Sequence, residues 1–473
     1  MAGIISYGVH IPRFRLNREK FSEVWGSQAA RGERSVANYD EDSLTMAVEA
    51  IIDCIGHIPL NSVDGVFFAT TTSPYLEKSG SNLIAAAADF PHETRTIDFA
   101  NALTAGTSAL SSALDAVKSG TARAIMVAAS DCRLGAASGT GEQLFGDGAA
   151  ALLVGNENVI AEINDRFSVS EEVVNIWRSS SDMFVRTTEP RFIYSHYTNT
   201  MKAAISGLLK NSKLDVKDIT KAIYNSPDPR SHGDLAKAIG LDPKTQVQDP
   251  LYMTVGNTGV ALTMIALSAA LENAKPSDKL LLANYGGGAD ALLLTVTDEI
   301  KKPFKRLGVK GNLALRRELN TYERFLVLQN RIVTEAARRP KEEANTNPIF
   351  MLRDRKTFLS FYASQCQECG TVQHPPQRVC VFCRAKDKGI DYKLSDKKGT
   401  IFTFTKDYIS INPDPPTLVA AVDFDGGGRI ITRLTDCDAD DIKIGMPVEM
   451  TFRRYYENDG IVNYSWKARS SSR

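Results

Sequence analysis

Thr96-Ile-Asp-Phe-Ala-Asn-Ala-Leu-Thr-Ala-Gly-Thr-Ser-Ala-Leu-Ser-Ser-Ala-Leu-Asp-Ala-Val-Lys118 reads as a strand ending near Asp98, a turn through Asn101-Ala102-Leu103, and then a helix. Leu110, Ala113, Leu114 and Val117 recur at helical spacing, so one helix face is buried. The small residues Ala105, Gly106 and Thr107 let neighbouring backbone approach its first turn closely. A turn feeding a buried helix N-terminus can hold an anion or activate a nucleophile. The side chain at this turn is Leu103, which does neither.

Outward from this stretch, strands alternate with helices. Gly3–Leu16 is a strand with a proline-fixed exit, and Asp40–Cys54 starts acidic before turning amphipathic, as a capped helix does. Val63–Thr72, Ala122–Asp131 and Phe145–Gly155 read as buried strands. The alternation predicts a layered α/β fold. The pattern then repeats: Asp98–Thr107 is echoed by Asp249–Thr258, and Gly148–Val154 by Gly288–Leu294. Such a long-period duplication predicts two similar α/β halves packed together, with ligands where the halves meet. These halves are expected over residues 1–165 and 166–300.

At 473 residues the chain exceeds one ordinary core. Its formal net charge of +0 gives no electrostatic pointer to nucleic acid. No apolar run reaches the roughly 20 residues that span a bilayer, and the N-terminus has no signal-peptide pattern, so no membrane partner is expected. Seven cysteines, four of them in one cluster, read as reducing cytoplasm with a metal site.

From Lys301 to Asn347 the chain turns basic, with a charged helical segment at Tyr322–Ile332 and a polar linker from Lys341; it is expected to be a helical connector. Cys366-Gln-Glu-Cys369 and Cys380-Val-Phe-Cys383 follow, within an expected ribbon over 348–384. Two CxxC knuckles close a tetrahedral thiolate cage, which favours structural zinc; rubredoxin-type iron and a redox dithiol are the alternatives. His374 is not needed as a ligand. Five short strands between 399 and 466, separated by Gly, Asp and Pro turns, predict an OB-type barrel over 385–473. Its one basic and aromatic run, Phe452-Arg-Arg-Tyr-Tyr456, is too little for an oligonucleotide surface.

With these pieces in order, residues 1–300 resemble hydroxymethylglutaryl-CoA synthase and its thiolase-superfamily relatives. The matching motifs are Val9–Arg15, Ser73-Pro-Tyr75, Ala102–Thr107, Gly146-Asp-Gly-Ala149, Asn225-Ser-Pro-Asp228, Gly256-Asn-Thr258 and Tyr285-Gly-Gly-Gly288. Residues from about 320 onward resemble the zinc-ribbon and OB-fold module that accompanies archaeal and bacterial thiolases. The resemblance implies a thiolase-like duplicated five-layer fold, an acyl-CoA ligand, and a homodimer or a heteromer with a catalytic thiolase subunit.

The departures are at the chemistry. The resemblance places the family's acyl-accepting Cys at Leu103, its His at Asn225 and its Glu base near Thr71. Asn257, Gly286 and Gly288 are retained, and Asn225 and Asn257 are expected to donate to a thioester carbonyl. Leucine forms no thioester and threonine is no base near pH 7. Cys132 and Cys54 read as small buried hydrophobes rather than a displaced nucleophile. His196 is expected before a helix over Met201–Leu209, His232 on the surface, and Asp147 in a turn.

Three functions follow. The first is an acyl-CoA-binding subunit that is not catalytic alone and pairs with a Cys-bearing thiolase in Claisen-type chemistry. The second is a Cys-independent aldol-type lyase on a hydroxyacyl-CoA, with Tyr285, His196 or Asp290 as acid/base groups. The third is an acyltransferase with a displaced nucleophile.

Overall fold

The computed structural model describes residues 1–333, 335, 347–410 and 412–471, and the linker expected from Lys341 lies largely outside them. Two compact units are present. The first comprises 1–37, 42–85 and 90–322; the second comprises 38–41, 86–89 and 323–473.

The first unit is built on one nine-stranded sheet. Its strands run, in spatial order, Lys221–Tyr224, Lys279–Tyr285, Ala289–Val296, Ala161–Val169, Gly3–His10, Asp147–Gly155, Ala124–Cys132, Gly65–Thr70 and Arg95–Ala100. The two halves of the sheet join only where Gly3 and Ile4 pair with Glu162 and Ala161. Within the second half, side-chain alternation sorts residues cleanly. Leu280, Leu282, Leu292 and Leu294 enter one core, while Leu281, Ala283, Tyr285, Ala291 and Leu293 enter another.

The first of these cores holds two helices, Ala105–Lys118 and Leu262–Leu271, between the halves. Leu262–Leu271 is buried along its whole length, as a helix covered on all sides must be. Gly106 makes the close approach possible, because a Cβ there would lie 3.0 Å from the Val260 carbonyl oxygen. Outside the sheet, Ser43–Ile55 covers the first half, and Pro190–Ser212 with Pro229–Ile239 covers the second. Helix, sheet, paired helices, sheet and helices make the five layers of a thiolase-like fold. Asp42 caps Ser43–Ile55, accepting from the Leu44 and Thr45 N–H groups in a reciprocal box with Thr45.

The second unit contains a three-stranded ribbon, Val372–Gln373, Tyr362–Cys366 and Gly389–Lys393, and a five-stranded all-β sheet. That sheet is ordered Arg429–Arg433, Thr417–Phe424, Lys398–Asp407, Pro447–Asn458 and Ile461–Ser470, and Leu434 bridges to Ala468 toward closure. Phe452 and Arg453 are buried, so Phe452–Tyr456 forms no basic face. Arg453 instead meets Asp436 at 2.7 Å and Glu41 at 3.2 Å, beside Lys467 and Asp40 at 2.7 Å. Among the described residues no helix is long and apolar enough to cross a membrane.

Candidate functional site

A cleft of about 1030 Å³ opens in the first unit at the carboxyl ends of the parallel strands Gly65–Thr70 and Arg95–Ala100. It is bounded by Thr70–Leu76 without Thr72, by Ala100–Thr104, by segments between Ser168 and Val185, and by the Gly286–Asp290 turn. Leu103 and Thr71 both line it.

Leu103 stands where the helix Ala105–Lys118 begins. Its carbonyl accepts from Asn284 Nδ2 at 2.8 Å, and its side chain packs half-buried on the core between the halves. Gly286 crosses directly over this turn. A Cβ at Gly286 would lie 2.7 Å from the Thr104 nitrogen and 3.0 Å from Leu103 Cβ. No side chain caps the helix at Thr104, which leaves its first N–H groups uncapped from that side. No cysteine lines the cleft. Cys54 is buried, and burial pushes its thiol up to about 12. The Cys132 N–H donates to Thr72 Oγ1 at 2.9 Å.

Thr71 belongs to a buried carboxylate knot. Asp131 is 0% exposed and accepts from the hydroxyls of Thr70, Thr71 and Thr72 and from the N–H groups of Thr71 and Val260, at 2.7–3.1 Å. The Val260 bond ties one half of the unit to the other. Gly259, at φ +61°, is required here because a Cβ would lie 2.1 Å from Asp131 Oδ2.

Asn225 and Asn257 are used by the backbone and do not line the cleft. The Asn225 amide donates to the Tyr285 carbonyl at 2.8 Å and accepts from the Tyr285 N–H at 2.7 Å. Asn257 Oδ1 accepts from the Gly259 N–H at 3.0 Å and its Nδ2 donates to the Ser226 carbonyl at 3.4 Å. Gly286 and Gly288 do line the cleft; a Cβ at Gly288 would strike the Val169 carbonyl at 2.1 Å. Asp290 lines it too, its carboxylate taken by the Thr107 hydroxyl at 2.5 Å and the Ser168 hydroxyl at 2.7 Å.

His196 and Tyr285 are brought together. His196 lies inside a helix that runs from Pro190 to Ser212, eleven residues longer at its start than the expected Met201. Its Nδ1 is 2.7 Å from the Tyr285 hydroxyl and its Nε2 is 2.5 Å from Glu171 Oε2. An Nε2–H facing the carboxylate leaves Nδ1 to accept from the phenol. Asn175 Nδ2 donates to the same phenol oxygen at 2.6 Å, and Thr200 donates to Glu171 Oε2 at 3.1 Å. Burial, opposed by the Asn175 bond, pushes Tyr285 up to about 12, so it is a neutral phenol near pH 7. Tyr285 is 4% exposed and stands behind the wall, whereas Glu171 and Asn175 face the cleft.

Two expectations are corrected. His232 is buried, stacked on Tyr224 with ring centres 4.2 Å apart, because Pro229–Ile239 turns that face inward. Asp147 is buried at the start of a strand and accepts the Ala37 N–H at 2.8 Å. Glu171, Asn175 and Arg133 are wall residues that the sequence reading passed over; nothing in their local sequence marks them.

In the second unit the sulfurs of Cys366, Cys369, Cys380 and Cys383 all lie within 4.8 Å of one another, and two pairs are 3.6 Å apart. Four thiolates at this spacing fit a zinc ion, with Zn–S bonds of about 2.3 Å and no open position.

Comparison with known proteins agrees with this geometry. Residues 360–389 match the rubredoxin-like zinc ribbon domain of ChsH2, and residues 392–453 its C-terminal OB-fold domain. Residues 209–296 match the C-terminal model of 3-oxoacyl-[acyl-carrier-protein] synthase III. The hydroxymethylglutaryl-CoA synthase of Picrophilus torridus is 30% identical over 316 residues, covering 63% of this chain and 89% of the relative. That of Thermococcus onnurineus is 30% identical over 312 residues, covering 63% and 88%. A crystal structure of HMG-CoA synthase complexed with CoA superposes with a TM-score of 0.64 at 20% identity, covering 73% of this chain and 93% of that one. The 3-oxoacyl-[acyl-carrier-protein] synthase III of Aquifex aeolicus gives 0.56 at 21% identity, covering 62% and 100%. Duplicated five-layer core, ribbon and β-sheet module together place the chain in the hydroxymethylglutaryl-CoA synthase family of the thiolase superfamily, with a ChsH2-type zinc ribbon and OB-fold after that core.

Proposed function

We propose that the first unit binds an acyl-CoA and carries out aldol-type carbon–carbon chemistry on a hydroxyacyl thioester without forming an acyl-enzyme. The observation that carries this reading is the chain of hydrogen bonds from Glu171 through His196 to Tyr285, at the wall of a cleft that contains no cysteine. Leu103 offers no electron pair to a thioester carbon, so Claisen transfer has no first step here. Aldol cleavage needs only proton handling and a place for an enolate. The Glu171 carboxylate takes the β-hydroxyl proton, with His196 and Thr200 holding it in position. As that C–O bond becomes a carbonyl, the Cα–Cβ bond breaks and its electron pair moves into the thioester as an enolate. The first N–H groups of Ala105–Lys118 supply positive potential for the enolate oxygen. Glu171 then returns that proton to Cα, which completes the release of acyl-CoA and a ketone or aldehyde.

Thin-layer or mass analysis of products from a panel of β-hydroxyacyl-CoA esters tests this reading. Turnover is expected in the parent and should fall about 10²–10⁴-fold in Glu171→Gln, and by less in Tyr285→Phe, whose hydroxyl only orients His196. Parent protein inactive on the whole panel defeats the lyase assignment.

The second reading is a binding subunit for a Cys-bearing thiolase. It is favoured by Tyr285 standing behind the wall and by Arg95–Ala100, an outermost strand of the large sheet whose Arg95 and Asp98 are exposed. Native mass spectrometry of material purified from its source separates the two: a stoichiometric thiolase partner, with no lyase turnover by the pure chain, supports the subunit reading.

A further inference from the structure

Asn175 is the member of the Glu171–His196–Tyr285 neighbourhood whose hydrogens the backbone itself fixes. It lies at the entry to a small ribbon in which Ile176–Trp177 pairs with Arg186–Thr187, and its carbonyl accepts from the Thr188 N–H at 3.1 Å. Its side-chain Oδ1 accepts from the Ile176 N–H at 2.7 Å, and its Nδ2 stands 2.6 Å from the Tyr285 oxygen. Turning the amide over would set its NH₂ against that backbone N–H, donor against donor. The amide therefore has one orientation, in which Nδ2 donates to the phenol. Asn175 is 3% exposed, so water does not compete for these bonds.

The phenol passes this direction on. Its oxygen accepts from Asn175, and among the described residues His196 Nδ1, 2.7 Å away, is the only acceptor within reach of its proton. Nδ1 then carries no hydrogen, and the ring proton sits on Nε2, 2.5 Å from Glu171 Oε2. His196 and Thr200 are four residues apart on one helix and both meet that same Oε2, which among the described residues leaves Oε1 to the cleft. The opposite tautomer would set a ring lone pair against the carboxylate. Glu171 would hold that contact only as the protonated acid, and a protonated Glu171 takes no proton from a ligand.

We infer that Asn175 is a positioning residue: by deciding which way the phenol proton points, it sets the direction of the whole relay and keeps Glu171 an ionised base. The catalytic part rests on the lyase reading above, whereas the direction of the hydrogen bonds stands without it. In the proposed cleavage Oε1 carries the substrate proton from the β-hydroxyl to Cα. The protons of His196 and Tyr285 stay where they are, so no charge moves along the relay.

The test is proton–nitrogen correlation spectroscopy of the ligand-free full chain carrying isotope-labelled histidine, at mildly alkaline pH. His196 is assigned by its absence from the His196→Gln spectrum. The parent is expected to show a hydrogen on Nε2 and none on Nδ1. Asn175→Asp keeps the shape but offers the phenol an acceptor, so Nδ1 should become protonated; Asn175→Leu removes the contact and should give both tautomers. On a β-hydroxyacyl-CoA, Asn175→Asp should lower kcat about 10²-fold with KM little changed. A hydrogen on Nδ1 in the parent overturns the inference, and needs no variant to fold. An Asn175→Asp spectrum identical to the parent's overturns it too, as does undiminished kcat once Nδ1 is protonated. The expected tautomer in a parent that turns over no hydroxyacyl-CoA upholds the positioning of His196 and defeats the lyase reading instead.

Discussion

Asp131→Asn is the perturbation that reads the candidate site most directly, since one carboxylate holds both Thr71 and the turn of the opposite half. Three donors converge on Oδ1: the Thr70 and Thr72 hydroxyls and the Thr71 N–H. Two converge on Oδ2: the Thr71 hydroxyl and the Val260 N–H. Asparagine keeps most bonds with its carbonyl at the Oδ1 position, which turns its NH₂ toward Oδ2's donors. The Thr71 hydroxyl rotates to accept, but the Val260 N–H has no such freedom and is stranded. A stranded buried donor costs about 1–3 kcal/mol, and each retained bond loses its charge assistance, about 1 kcal/mol apiece. Relief from burying a charge offsets part of this, leaving an expected loss of about 2–4 kcal/mol. For a unit of this size that lowers the melting temperature by about 3–6 °C. Differential scanning calorimetry of the ligand-free chain measures it, with Asp131→Ala as the second variant. Alanine strands all the donors and should be the less stable of the two. An asparagine variant melting within a degree of the parent, or an alanine variant melting above it, would refute the view that this carboxylate pins the two halves.

Two further outcomes follow from groups elsewhere in the chain. Zinc is expected at one equivalent by elemental analysis, and a strong chelator or Cys380→Ser should unfold the ribbon, read as new protease cleavage between Tyr362 and Lys393, because metal binding is the ribbon's folding energy. Burial lowers His232 from 6.5 to about 4, so between those values the unfolded chain binds the extra proton and stability falls as pH drops; the loss approaches about 3 kcal/mol by pH 4. Denaturant midpoints measured from pH 7 to pH 4 should show a shallower decline in His232→Gln than in the parent, and identical slopes would count against this burial.

What the sequence made legible was chemistry carried by short spacing. The paired CxxC knuckles declare a tetrahedral cage whatever the fold around them, and Ala105-Gly106-Thr107 announces a close backbone approach that Val260 duly makes. Strands alternating with helices along the first 155 residues also announced a layered α/β fold. The relay was another matter. Asn175 and Tyr285 meet across 110 residues, and the meeting depends on strand register: Asn284 turns inward to Leu103 while Tyr285 turns outward to His196. No local pattern encodes which of two neighbours takes which face. The expected helix Met201–Leu209 is shorter than Pro190–Ser212 because the first turns, Arg191 to Ser195, are largely exposed and lack an apolar stripe. His232 differs from its expected surface position for the opposite reason, since a polar residue on a short amphipathic helix gives no hint of the aromatic pair that packs on it.

On the proposed lyase reading, the turn at Leu103 has to serve without a side-chain nucleophile. In a thioester site the nucleophile is a side chain, but the cradle for carbonyl oxygen is backbone, and the two are separable. Here Asn284 clamps the Leu103 carbonyl, and Gly286 passes so near that a side chain there would collide with Thr104. A turn of this shape stabilises developing negative charge on oxygen whether or not a sulfur attacks the neighbouring carbon. The Leu103 side chain makes this turn apolar, which disfavours water as a nucleophile there. On the proposed reading an enolate formed at this turn would be shielded from hydrolysis of its thioester and would take its proton from Glu171, which lines the same cleft and meets His196 at 2.5 Å.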